Sequence, residues 1–345
     1  GFFDRQRPSY HVYHAGPYNI PLRSLYARAI DNLFFAGRNI SATHVALSST
    51  RVMLTCGQLG EAIGAAAATC FQQHVTPRQL VTSGQVRDVQ RALLRADHHI
   101  VRLPYDDPAN LAGLAQARAS SELETAALEW SNGLLPLDHE LLLQFPLATP
   151  RLDTVSLLMD VDRPTELKYA IHAGPKNHST FPARQLLDEA LLLQPGTRQW
   201  INLPIGLPVD HEGWYFCELK TNPHVRMHWG EYAPVGIKTY TVRPLDPIRP
   251  NPFSRWQAWG DMELRACCLH LNPQQPVYAA SNVINPWARP THLPNLWASQ
   301  ATSFGSPEWL ELRWEQPQTI HEVQILFDSA LDVHLTNLWT TYARN

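Results

Sequence analysis

Charge is what this chain has least of. Only 17% of its 345 residues are Asp, Glu, Lys or Arg, the formal net charge is −3, and no basic block interrupts that near-neutrality. A chain without a cationic stripe has little with which to hold a phosphate backbone or an anionic lipid surface, so nucleic acid and membrane surfaces are poor partners for it. No apolar run reaches the roughly 20 residues that a membrane span needs. The five cysteines, Cys56, Cys70, Cys217, Cys267 and Cys268, show neither zinc-ligand nor redox spacing, so no metal site and no disulfide framework is expected. The adjacent pair reads as two strand residues pointing to opposite faces. No signal peptide is visible, and since the first residue is Gly1 rather than Met, that leaves the compartment unknown and export open for an otherwise soluble protein.

Hydrophobic residues, by contrast, make up 44% of the sequence. At this length they can fill the cores of two or three domains. The richest stretch is Asn32 to Ala67. Leu33-Phe34-Phe35-Ala36 is a short apolar run suited to a buried strand. Gly37 follows where a strand hands over to a loop, and Arg38 beside it can offer charge-assisted hydrogen bonds to a phosphate. Asn39, Ser41, Thr43 and His44 add hydrogen-bonding side chains. Ser48, Ser49 and Thr50 are N-cap candidates for a helix predicted from about Arg51 to about Cys70. Gly57, Gly60 and Gly64, with Ala62 and Ala65 to Ala68, cost that helix propensity, which suits close packing against a sheet or a cofactor. From spacing alone, a strand-loop-helix unit with no ligand fits equally simply.

The residues themselves are more specific. Ile20-Pro21-Leu22-Arg23-Ser24-Leu25, then Asn32 to His44, then Thr50 to Cys56 stand in the order IPxRSL, NLFxAGRxISATH, TRVMxTC. In that order they resemble the C-terminal part of FAD-dependent oxidoreductases of the glutathione-reductase-like flavoprotein superfamily, in particular a bacterial family carrying these segments. The likeness covers roughly Tyr18 to Ile100. It implies that FAD is the cofactor, with Ala36, Gly37 and Arg38 against its pyrophosphate and ribityl portion. Asn39, Ser41 and Thr43 follow as loop ligands, and Thr50, Arg51, Val52 and Met53 approach the flavin pyrimidine edge. The resemblance also makes His44 and Arg23 the candidate catalytic residues. His44 either takes a proton as a hydride leaves the substrate for the flavin or merely bonds the loop, and Arg23 either faces substrate or bonds a carbonyl. Leu54 departs from the Pro or Gly that relatives often carry.

The nucleotide half of such a site is missing. A dinucleotide-binding fold needs G-x-G-x-x-G after its first strand, and Gly1, Gly16 and Gly37 do not have that spacing. The expectation is a C-terminal piece of a longer flavoprotein, partnered by an upstream FAD-binding segment and inactive or weakly FAD-binding alone.

Beyond the helix, Thr76 and Pro77 predict a capped helix start, and Val86, Val89, Leu93 and Leu94 give a second helix its apolar stripe. His98 and His99 end it, and Pro104 to Pro108 reads as a linker. Past Pro108 the texture is β: Thr154 to Met159, Trp200 to Leu203 and Gly213 to Leu219 alternate with turn residues, the spacing of an antiparallel sandwich. Asn110 to Ser121 resembles the opening strand of discoidin-like, galactose-binding-like modules. His224, His228 and Glu231 could suggest metal, but a solvated sheet edge accounts for them. Ser281 to Asn285, Arg289-Pro290, Pro294 to Trp297 and Trp309 to Trp314 resemble a second such module, with Thr319 to Phe327 as the neighbouring strand. Trp287, Arg289 and Trp297 are candidate sugar contacts, although Trp297 and Trp309 also suit a core.

The expected fold class is therefore α+β and multidomain. An incomplete Rossmann-like FAD-binding part (1–100) precedes antiparallel β-sandwich, jelly-roll, discoidin-like regions (108–250 and a truncated 270–345). The expected function is hydride transfer from a small-molecule or carbohydrate-related substrate to FAD. The alternative is a carbohydrate-binding sandwich protein with a non-catalytic flavoprotein remnant. Oligomeric state is open.

Overall fold

The computed structural model describes residues 18–124, 126–175, 182–231, 233–242, 256–258, 265–287, 289–291, 293–300 and 307–327. They divide into a helical unit up to Asn110 and a β unit from Leu111 onward. The chain mixes α and β structure, with antiparallel sheets predominating. Among the described residues no helix is long and apolar enough to cross a membrane.

The helical unit is built on α1 (His44–Thr50), α2 (Met53–Gln73), α3 (Pro77–Thr82) and α4 (Val86–Arg95). The helix expected from about Arg51 to about Cys70 is α2, and a further short helix, α1, precedes it. Thr43 caps α1, its Oγ1 accepting the Ala46 N–H at 3.2 Å. Ser48 and Thr50 lie inside α1 and do not cap α2. Their hydroxyls bond back to the Val45 and Ala46 carbonyls at 2.6 and 3.3 Å, which satisfies them within the helix. The start of α3 is as its sequence predicts: Thr76 and Gln79 form a reciprocal capping box with Pro77 at the first position. Leu33 to Ala36 is not a sheet strand. Among the described residues its pairing is a single bridge between Phe34 and Tyr26, with two backbone bonds to Leu25 and Ala27, too short a ladder to make a strand. Ala66 of α2, Leu80 of α3 and Val89 and Leu93 of α4 form the main core. The stretch from Pro104 to Pro108 is tied back to α4, with Asp106 receiving both Arg87 and Arg91.

The β unit holds β1 (Gln116–Ala119), β2 (Gly133–Pro136), β3 (Leu141–Leu147), β4 (Arg151–Val161), β5 (Thr165–Ala173), β6 (Arg184–Leu193) and β7 (Gly196–Pro208). It continues with β8 (Gly213–Leu219), β9 (Val225–Gly230), β10 (Lys238–Val242), β11 (Trp256–Ala258), β12 (Ala266–Cys267), β13 (Leu269–Asn272) and β14 (Leu310–Arg313). One sheet has the order β11-β10-β3-β8-β5-β6. The other has β12-β9-β4-β13, with β2 also on β9 and β7 on β4. Period-2 alternation sends Leu143, Phe145, Ile171 and Cys217 of the first sheet and Val155, Leu157, Met159, Met227 and Leu269 of the second into one shared core. The Tyr169 hydroxyl spans the sheets to the Pro204 carbonyl at 2.8 Å. β12 and β13 carry residues 266–272 into the same sheet as β4 and β9, and Val277 and Tyr278 extend the same core.

The partner of β14 differs from the expected one. It pairs with β1, Ala117 opposite Leu312, and residues 319–327 form no strand. Val323 and Phe327 of that segment are 75% and 78% exposed. The choice of β1 is enforced locally: Ser121 Oγ donates to Glu308 at 2.8 Å, and the Trp309 carbonyl accepts the Ser120 N–H at 2.9 Å. The expected N-terminal residues 1–17 and the stretches 243–250 and 328–345 of the two β regions lie outside the described residues.

Candidate cofactor site

The motifs of the helical unit meet through backbone bonds. Ile20 to Leu25 makes a 3-10 turn over Leu22–Ser24, and the Ser24 carbonyl then accepts the Ser41 N–H at 2.9 Å while the Leu25 carbonyl accepts the Phe35 N–H at 2.7 Å. Arg23 stands exposed on that turn. The second turn, Gly37–Asn39, is entered at Gly37 with φ +77°, a conformation that disfavours any side chain. No atom lies within 4 Å of where a Cβ would sit there, so the backbone is open to a ligand. Ile40 fastens the turn from beneath, packed with Leu25 and with Leu59 of α2.

Above that anchor, Ala36, Arg38, Asn39, Ser41, Thr43 and His44 are all exposed. His44 is the first residue of α1 and so belongs to a helix start, not to the loop. Thr50 is turned away: it is buried, its hydroxyl is spent on Ala46, and its carbonyl lies 3.6 Å from the Cys56 thiol. Arg51 is exposed, as are Val52 at 54% and Met53 at 87%. Val52 supplies no side-chain cap, so the first-turn N–H groups of α2 keep their capacity for an electron-rich or anionic atom.

The long helix has two faces of opposite character. Leu59, Ala62, Ile63, Ala66 and Thr69 follow helical spacing into the protein, against Ile40 and against α3 and α4. Gly57, Gly60 and Gly64 line the other side, and a Cβ added to any of them would meet nothing within 4 Å. Phe71 continues that side at 80% exposure. Four arginines (Arg23, Arg28, Arg38 and Arg51) against one acid, Asp31, make residues 18–60 cationic in a chain that is acidic as a whole. That balance suits a diphosphate. An open glycine cradle, a left-handed Gly-Arg turn and an uncapped helix start are what the dinucleotide FAD would require of these residues, and they fit it.

Of the residues expected at a solvated sheet edge, His224 is partly exposed beside Asp162, whereas His228 is not at the surface. His228 is 6% exposed and hydrogen-bonded through both ring nitrogens, to Asp160 and to Ser131. Among the described residues no group of three or more His, Cys, Asp or Glu side chains is arranged to hold a metal ion. Cys267 and Cys268 are both buried, and burial pushes their thiols up to about 12 and about 11. Trp297 points its indole N–H to the Ser121 carbonyl at 2.9 Å, and Trp287 is partly buried beside Asn285.

No curated protein matches the chain, and no solved structure does. Residues 3–93 match the family described as FAD dependent oxidoreductase. That match spans about a quarter of the chain, and the family, by its description, depends on FAD.

Proposed function

We propose that the helical unit is the closing half of an FAD site in an oxidoreductase, completed by a segment bearing the Gly-rich nucleotide turn that these 345 residues lack. The family match over residues 3–93 carries this reading, and the open glycine face of α2 supports it. When bound, FAD supplies the acceptor for a hydride from the substrate. The Gly37 backbone and the Arg38 guanidinium hold the diphosphate, and the first-turn N–H groups at Met53 favour negative charge near the start of α2. Arg23, exposed on the Leu22–Ser24 turn, and His44, exposed at the start of α1, face substrate: His44 accepts a proton and Arg23 orients an acceptor oxygen.

The test is flavin retention by this chain and by the same chain extended upstream along its reading frame. Stoichiometric FAD on the extended protein, falling more than about tenfold in Arg38→Ala as expected for a lost charge-assisted contact, supports the site. An upstream frame with no Gly-rich strand-turn-helix, or an extended protein that stays colourless, overturns it.

A second reading, carbohydrate binding by a discoidin-like β unit, has one observation in its favour. The outer side of the β11-to-β6 sheet is closed by Leu142, Trp214, Phe216 and Tyr240. On the outer side of the β4 sheet, however, Trp200 is 37% exposed with its ring centroid 4.1 Å from that of His270, beside a Ser156–Asn202 hydrogen bond of 2.6 Å. An aromatic face flanked by hydroxyl and amide groups suits a pyranose. Unchanged mobility of Trp200→Ala and parent protein in gels cast with xylan or galactomannan would remove that reading.

A further inference from the structure

Three side chains of the β unit, far apart in sequence, form one continuous hydrogen-bonded row. Asp160 lies on β4 and His228 on the neighbouring β9, whose ladder sets Asp160 opposite Arg226. His228 Nε2 stands 2.9 Å from Asp160 Oδ1, and His228 Nδ1 stands 2.7 Å from the hydroxyl of Ser131, just ahead of β2. An ionised carboxylate can only accept, so the neutral imidazole carries its hydrogen on Nε2 and turns the Nδ1 lone pair to the serine. The Ser131 hydroxyl has a second acceptor, the Gly133 carbonyl, at the longer distance of 3.3 Å.

The carboxylate is held in place from its other side. Arg198 adopts φ +48°, a left-handed conformation that non-glycine residues rarely take, and from it donates its backbone N–H to Asp160 at 2.7 Å. The Arg226 guanidinium approaches the second oxygen at 3.4 Å. Burial alone would raise the Asp160 carboxyl, yet the Arg198 N–H and the His228 bond outweigh it and leave it below the usual carboxylate range. Asp160 and His228 are 7% and 6% exposed, whereas Ser131 is partly exposed between Trp130 and Asn132, which are open to solvent. The base is shielded, and the residue that carries the hydroxyl lies at the partly exposed end of the row.

We propose that Ser131 is a nucleophile activated by His228 and positioned by Asp160, giving the β unit an acyl-ester hydrolase activity separate from flavin chemistry. The serine oxygen bonds to the ester carbonyl carbon while His228 Nδ1 takes the serine proton. The carbon–oxygen bond to the alcohol then breaks, and the same proton leaves with the alcohol. Water, deprotonated in turn by Nδ1, cleaves the acyl-serine to a carboxylic acid and restores the hydroxyl. No oxidant or reductant is consumed, so the activity does not depend on the FAD reading.

The experiment treats the full chain with a fluorophosphonate probe and locates the adduct by intact mass and peptide mapping. One adduct per chain at Ser131 is expected, absent from Ser131→Ala and formed at least about 100-fold more slowly in His228→Gln, the loss typical of a removed general base. In the parent protein the labelling rate should depend on pH and in His228→Gln that dependence should disappear, a response that a hydroxyl merely tying strands together does not give. Asp160→Asn should slow labelling and change that pH profile, as a positioning residue does. Circular dichroism separates lost reactivity from lost folding, and Ser131→Ala removes a single oxygen from a partly exposed residue. A folded parent protein that remains unlabelled at Ser131, or a Ser131→Ala variant that reacts as fast as the parent, overturns the proposal.

Discussion

The β unit finishes its own interior, whereas the helical unit leaves one side of its longest helix bare. In the sandwich, side chains from both sheets meet across a single core in which Phe145, Leu143, Ile171 and Met159 have no exposure left. In the helical unit, α2 buries Leu59 and Ala66 but presents Gly57, Gly60 and Gly64 to open space, with Met53 and Leu54 exposed at its start. Glycine within a helix costs roughly 0.5–1 kcal/mol relative to alanine. A fold assembled for its own stability gains nothing by repeating that cost on a solvent-facing side. The contrast separates a unit whose residues answer to packing from one whose residues answer to something they must touch.

That contrast can be broken most directly in the sandwich. Phe145→Ala should lower unfolding free energy by about 3–5 kcal/mol, read from urea titrations followed by tryptophan fluorescence. A loss no larger than that of the exposed control Met53→Ala would mean the β core is not what holds the unit.

Acid should weaken the sandwich next. The His172 hydrogen bond holds the Glu218 carboxyl below its usual range; burial opposes this, and the Lys220 ammonium adds to it. Asp160 is depressed as well. For a depressed carboxyl the stabilisation is complete above the unfolded value, about 4 for these residues, and is lost as pH falls through the folded one. Melting temperature should therefore be flat down to about pH 4.5 and drop below it. Glu218→Gln should shallow that drop, and an equal slope in the variant would remove the assignment.

In the helical unit, Thr76→Ala breaks a complete capping box and should cost about 1 kcal/mol. The smallest effect is the sharpest. Gly60→Ala should stabilise the chain without FAD by about 0.5–1 kcal/mol, since nothing lies within 4 Å of the added methyl group. The same variant should impair flavin retention in the extended protein. Destabilisation of the FAD-free chain would show that the glycine face is already occupied.

Much of this was readable from the sequence where the determinants are local. Thr76-Pro77 with Gln79 is a contiguous signal, and so is the short run from Gly213 to Leu219 between turn residues, which is β8 and buried along its whole length. The Gly37 to His44 run is legible for the same reason: its residues adjoin, and a turn needs no distant partner. The break at Arg51 was hidden because Ser48 and Thr50 resemble caps, while their hydroxyls in fact bond backward inside α1. Leu33 to Ala36 has the composition of a strand, but its pairing stops at one bridge, between Phe34 and Tyr26. β14 was legible as a strand, but its choice of β1 depends on contacts 188 residues apart, such as Ser120 with Glu308. The Ser131–His228–Asp160 row was not legible at all. Its members are separated by 97 and 68 residues and meet through the register of β9 against β4 on one side and against β2 on the other.

The bare side of α2 also bears on how long the protein survives in a cell. Quality-control machinery engages exposed apolar side chains, and here Met53 and Phe71 stand 87% and 80% open. A ligand that covers such a surface stabilises the native state by mass action, by about 2.7 kcal/mol when its concentration is one hundred times its dissociation constant. Turnover would then follow the supply of whatever seats on that helix, and the amount of intact protein would report how often the seat is filled.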